Sequence, residues 1–188
     1  MAEAIIRKRG GAGEVIVKFE NFTPPDTIVG FHPDGELVRS TPTALSVGRG
    51  LLAGASVGDY ALFAGGEVDP GGDSPDSYYS TVDAYDTSLV RSTPTELSVA
   101  RSSLAGASVG NYALFAGGLD GSSYLYRSIV DAYNTDLVHS TPTALSVTRG
   151  SLAGASVGDY ALFAGGLGSF PTYKDTVNAY NTELVRST

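Results

Sequence analysis

Residues 52–66 read "LAGASVGDYALFAGG". Gly54-Ala55-Ser56-Val57-Gly58 within them fits the G-x-S-x-G pattern of a nucleophile elbow. The same words return almost unchanged at Leu104 to Gly118 and at Leu152 to Gly166, so a catalytic Ser56 would require three elbows in a chain of 188 residues. The next four residues decide the matter. Val57-Gly58-Asp59-Tyr60, Val109-Gly110-Asn111-Tyr112 and Val157-Gly158-Asp159-Tyr160 each place Gly and then Asp or Asn between two apolar runs. That is a two-residue hairpin turn needing positive φ at its first central residue. An elbow requires a strand-to-helix turn at the serine, whereas Ser56 is expected inside a strand just before a strand-to-strand turn. No catalytic residue is assigned.

"STPTALSVGRG", "STPTELSVARS" and "STPTALSVTRG" precede these words at Ser40, Ser92 and Ser140. The period is about 50 residues, in the range of propeller blades rather than of helical solenoids. In the central unit Leu104–Val109, Tyr112–Ala116, Ile129–Tyr133 and Leu137–Ser140 have strand character, each bounded by Gly, Asn, Asp, Ser or Pro. No stretch repeats apolar residues at three-and-four spacing long enough for a helix, so the chain is expected to be all-β. In a radial array the innermost strands crowd the axis, which explains a first strand of Ala, Gly and Ser. "YALFAGG" is apolar on both faces, as a strand between two neighbouring sheets should be.

Composition narrows the function classes. The chain has no Cys, which excludes disulfides, thiolate zinc sites and a cysteine nucleophile. A formal charge of −8 disfavours a grip on nucleic acid phosphates or on an anionic membrane. Arg7-Lys8-Arg9 follows the short apolar run Ala4-Ile5-Ile6, the reverse of a secretory signal and too short to insert in a membrane. Synthesis in the cytoplasm without a signal peptide is the expectation. Gly48-x-Gly50-x-x-x-Gly54 lacks dinucleotide-binding spacing, and Asp69, Asp73 and Asp76 lack calcium-loop spacing. Neither a metal nor another cofactor is expected.

Several recurring residues resemble kelch repeats: the doublets Gly65-Gly66, Gly117-Gly118 and Gly165-Gly166; Tyr85, Tyr133 and Tyr180, followed by Asp86, Asn134 and Asn181; and Arg49, Arg101 and Arg149 before each first strand. The resemblance covers roughly Gly35 to Thr188 and implies a β-propeller of four-stranded blades that binds other proteins. It departs from the pattern in lacking the fourth-strand Trp, with Leu89, Leu137 and Leu184 nearby instead. It also implies that the three arginines brace neighbouring blades. The copper chemistry of the galactose-oxidase relatives is not carried over, because this chain has no Cys and only His32 and His139.

Three clear units are preceded by a divergent one. "TIVGFHPDGELVRSTPTA" at residues 27–44 matches the third and fourth strands of a unit, and residues 1–26 supply either its inner strands or a docking segment. Two architectures remain open: a four-blade ring over residues 27–188 with help from 1–26, or a partial propeller completed by oligomerisation, as exposed strand edges invite.

The units differ most in the loops after their second strands, "EVDPGGDSPDSYYS", "LDGSSYLYRS" and "LGSFPTYKD". Strand alternation puts these on one rim with Arg49, Arg101 and Arg149. Tyr78, Tyr79, Tyr124, Tyr126, Phe170, Tyr173 and the three arginines are therefore the candidate ligand-binding residues, set against the plainer role of covering blade edges. A propeller hydrolase or lyase would need acids, Arg and His on the axis, where this chain repeats small residues. The expected function is non-enzymatic recognition or assembly of a protein or cell-surface glycan. "AEAIIRKRGG" at residues 2–11 is similar to short N-terminal segments of phage tail-associated proteins, which implies a phage or prophage virion setting, in a tail or fibre, with attachment through residues 1–26 or a homo-oligomer. A cytoplasmic interaction scaffold and an engineered repeat propeller are the alternatives.

Overall fold

The structure is a computed structural model that describes residues 40–71, 76–168 and 172–188. The chain divides into the units Met1–Thr41 and Pro42–Thr188. The 1–26 segment, the boundary at residue 27, His32, Asp73 and Phe170 lie outside the described residues.

Among the described residues seventeen strands follow in order. The first group is β1 (Ala53–Val57), β2 (Tyr60–Ala64), β3 (Glu67–Val68), β4 (Ser77–Tyr78), β5 (Val82–Tyr85) and β6 (Arg91–Ser92). The second is β7 (Arg101–Ser102), β8 (Ala105–Val109), β9 (Tyr112–Ala116), β10 (Leu119–Asp120), β11 (Leu125–Tyr126), β12 (Val130–Asn134) and β13 (His139–Ser140). The third is β14 (Ala153–Val157), β15 (Tyr160–Ala164), β16 (Val177–Asn181) and β17 (Arg186–Ser187). Twelve of them form three antiparallel four-stranded blades, ordered β1-β2-β5-β6, β8-β9-β12-β13 and β14-β15-β16-β17. Gly58, Gly110 and Gly158 turn the inner hairpins at φ near +50°, a conformation that costs glycine little, and Ser56 lies within β1.

Inner strands of successive blades stack. A Cβ on Gly106 would overlap the carbonyl oxygen of Gly54, and one on Gly154 that of Gly106, so glycine sets the blade spacing at the axis. Beside this column the serines form a ladder: Ser108 Oγ donates to the Ser56 carbonyl (2.6 Å) and accepts from the Ser56 amide (3.1 Å). Ser156 Oγ repeats both bonds with Ser108 (2.6 and 2.9 Å). The hydroxyl read above as a nucleophile candidate is thus, in the second and third blades, an inter-blade fastener.

Two apolar layers fill the gaps between blades. Val57, Leu62 and Val82 of the first blade meet Leu104, Phe115 and Tyr133 of the second, and Val109, Leu114 and Val130 of the second meet Leu152, Phe163 and Tyr180 of the third. The central second strand, β9, is buried from Ala113 to Ala116 on both faces.

One boundary differs from expectation by more than a residue. The fourth strand of the central unit begins at His139, because Asn134 Oδ1 accepts the amides of Asp136 (3.0 Å) and Val138 (2.9 Å), closing a turn with Leu137 at φ 59°. Leu137 packs on the core from that turn, as Leu184 does in the third blade. The short strands β3, β4, β7, β10 and β11 were also not foreseen. They lie in segments too short to show a two-residue alternation.

Candidate functional site

Each link between blades is held by its arginine. The Arg101 amide donates to the Tyr79 carbonyl (3.2 Å) and its carbonyl accepts from the Gly66 amide (2.9 Å), both in the first blade. Its fully buried side chain enters the second blade, with Nε on the Gly117 carbonyl (2.7 Å), Nη2 on that of Phe115 (3.1 Å) and an ion pair to Asp131 (2.6 Å). Arg49 makes the matching contacts with Gly65, Phe63 and Asp83. Arg149 differs, because Asn178 stands where Asp83 and Asp131 do: Nη2 donates to Asn178 Oδ1 (2.8 Å), and its buried Nε has no partner among the described residues.

The acids respond to this setting. Burial alone would push the Asp131 carboxyl up, but the Arg101 charge and hydrogen bonds from His139 (2.6 Å) and Ser98 (3.0 Å) outweigh it and hold the carboxyl below the usual range. Burial opposes and the Ser46 and Arg49 bonds outweigh it likewise at Asp83. Burial pushes the Arg149 guanidinium down. The tyrosines after the third strands complete the frame: Tyr85, Tyr133 and Tyr180 donate to the carbonyls of Thr43, Thr95 and Thr143 at 2.7–2.8 Å. Burial pushes the Tyr180 phenol up to about 12.

The varied loops form short hairpins that pair with the same links. β10 pairs with β11 and with β7, which carries Arg101. β3 pairs with β4, and Glu67 and Leu167 bridge to Gly50 and Gly150. This is the common rim. In the second hairpin Asp120 closes the turn, accepting from the Ser122 amide (2.8 Å), the Ser123 hydroxyl (3.1 Å) and Arg127 (Nε, 2.9 Å). Burial opposes ionisation there, yet Arg127 and the serines hold the carboxyl far below its ordinary value.

Six tyrosines and phenylalanines were expected on this rim, and five fall within the described residues. Tyr78 lays its ring where a Gly121 Cβ would stand, and meets Tyr124 edge-on at 6.3 Å. Burial, and then Glu67 and Asp76, push its phenol up. The Tyr126 ring packs on Gly150, within 2.8 Å of its Cβ position. Tyr79 is half-buried, and its amide donates to the Gly66 carbonyl (2.9 Å). The rings of Tyr78 and Tyr126 thus serve contacts between units. Tyr124, at φ 51°, is 62 % exposed and Tyr173 is 82 % exposed. Between the first two hairpins lies a groove of about 300 Å³ walled by Asp76, Tyr78, Val99, Asp120, Gly121 and Ser122. Asp76 and the Asp120–Ser122 turn were not among the sequence candidates; their signal was a polar, length-variable loop on an otherwise repeated frame. The three arginines are committed inside the frame. Among the described residues no three His, Asp or Glu side chains converge on a metal-sized site, and no helix is long and apolar enough to cross a membrane.

No family model and no curated protein matches the sequence. Among solved structures the chain is similar to YjhT, a kelch-repeat β-propeller, with a TM-score of 0.66 at 14 % identity. The match covers 84 % of this chain and 51 % of that one, so the chain spans about half the length of the structure it matches. At that identity the likeness shows the fold: blades of a kelch-type propeller.

Proposed function

We propose that this chain is a non-enzymatic recognition module that binds a protein or a cell-surface glycan at the rim between its first two blades. The observation that carries the reading is the groove between the β3–β4 and β10–β11 hairpins, with polar walls at Asp76 and Ser122 and an exposed tyrosine, Tyr124, edge-on to its Tyr78 wall. Amphipathic rings on short hairpins bolted to a rigid frame suit contact with sugars or protein side chains at low entropic cost. The buried charges favour binding over chemistry, since Arg49 and Arg101 are consumed by Asp83 and Asp131 inside the blades.

Binding of the full chain is measured on a glycan array and on whole bacterial cells, with thermal melts in parallel. The Tyr124→Ser variant is expected to lose at least tenfold in affinity, about 1.4 kcal/mol, at an unchanged melting temperature. Unchanged binding by that variant overturns the rim assignment. The setting in the proposal is a phage or prophage tail or fibre, supported by the likeness of residues 2–11 to tail-associated proteins. Virion genes beside this one are the expected finding. A place among metabolic genes contradicts the setting and favours a cytoplasmic scaffold, while leaving the binding reading to its own test.

A further inference from the structure

Both blade junctions within the chain are built from one pair of matching faces. The leading face, with Val57 and Val82 in the first blade and Val109 and Val130 in the second, is 0–3 % exposed because the next blade covers it. In the third blade the same positions, Val157 and Val177, are 60 % and 46 % exposed. The trailing face shows the converse. Phe115 and Phe163 are fully buried against the preceding blade, whereas Phe63 is 36 % exposed and, with Leu45, Leu52, Ala61 and Tyr85, walls an apolar groove of about 640 Å³.

The polar columns are open at the same two ends. Among the described residues the Ser156 amide and carbonyl have no serine hydroxyl bridging them, as Ser108 bridges Ser56 and Ser156 bridges Ser108. Among the described residues Ser56 Oγ has no preceding carbonyl to donate to and reaches Ser108 Oγ at 3.4 Å. Glycine repeats the pattern. A Cβ on Gly106 or Gly154 would overlap the preceding blade, whereas on Gly54 it would meet nothing closer than the Phe63 ring at 3.5 Å.

We infer that the third blade's leading face is the docking surface for the first blade of a second copy of this chain, and that two copies close head to tail into a six-blade ring. The occupant follows from two observations: the partner face is already present on each chain, and it fits the leading face twice inside the chain. Two identical junctions related by a twofold axis close the ring and leave neither face exposed. This inference concerns the blade faces and is independent of the ligand bound at the rim.

The test is the native mass of the full chain by sedimentation equilibrium, with circular dichroism and thermal melts as controls. The parent is expected at twice the 19.4 kDa chain mass. Val157→Arg, which charges an exposed position, and Gly54→Ala, whose methyl fits its own chain but would overlap the Gly154 carbonyl of a second copy, should each fold and each fall to a single chain mass. A monomeric parent overturns the inference. A dimer that survives either variant places its interface elsewhere and also overturns it, as does any assembly larger than two chains.

Discussion

Arg149 is a buried cation whose blade supplies an amide where the other two supply a carboxylate. Breaking a buried ion pair leaves an uncompensated charge and costs about 3–5 kcal/mol, whereas completing one that geometry already prepares recovers part of that. Asn178→Asp is therefore expected to raise stability by about 1 kcal/mol, and Asp131→Asn to lower it by about 3 kcal/mol, both read from denaturant melts. A pH dependence follows from the same groups. Asp83 and Asp131 have folded values below the ordinary carboxylate value of about 3.9, so the stability they contribute is present above that pH and lost as pH falls through their folded values. Melting temperature should therefore fall as pH drops below about 4, and fall less in Asp131→Asn, which has already lost one of the titrating carboxylates. The recurrence of Arg before each first strand was legible in the sequence. Its partner was not, since nothing in "VDAY" or "VNAY" says that the polar side chain points toward an arginine some 30 residues upstream.

Among the elements, the inner strands were the most legible, because "LAGASVG" carries both the turn and the small residues that a crowded axis requires. Gly106→Ala should cost several kcal/mol, since its Cβ has only backbone to push against and the neighbouring blade cannot yield as a flexible side chain could. Ser108→Ala should cost about 1–2 kcal/mol by leaving the Ser56 amide and carbonyl without their hydroxyl. Chemical denaturation of the two variants checks both values, and a Ser108→Ala as stable as the parent would show that water replaces the ladder. The fourth strands and rim hairpins were less legible for a physical reason. They pair over two residues only, and their place is set by a side-chain-capped turn at Asn134 and by the links they bridge, not by any alternation of their own.

In the molecule as a whole, near-identical blades make a frame and the hairpins between their second and third strands make the variable surface. The fold was legible because the repeat declared it, down to the link arginines and the capping tyrosines. The rim was legible only as a location, since the sequence could not say which of its rings are spent on blade contacts. Tyr78 and Tyr126 are packed on Gly121 and Gly150, while Tyr124 and Tyr173 face outward. Amide hydrogen exchange, followed along the chain with and without the strongest-binding glycan or protein from the binding screen, tests this separation of frame from rim most directly. Slowest exchange is predicted in β9, buried on both faces, with binding adding protection at residues 76–79 and 119–127 and leaving the inner strands unchanged. Protection gained first along β8 or β14, with the rim hairpins unaffected, would contradict it.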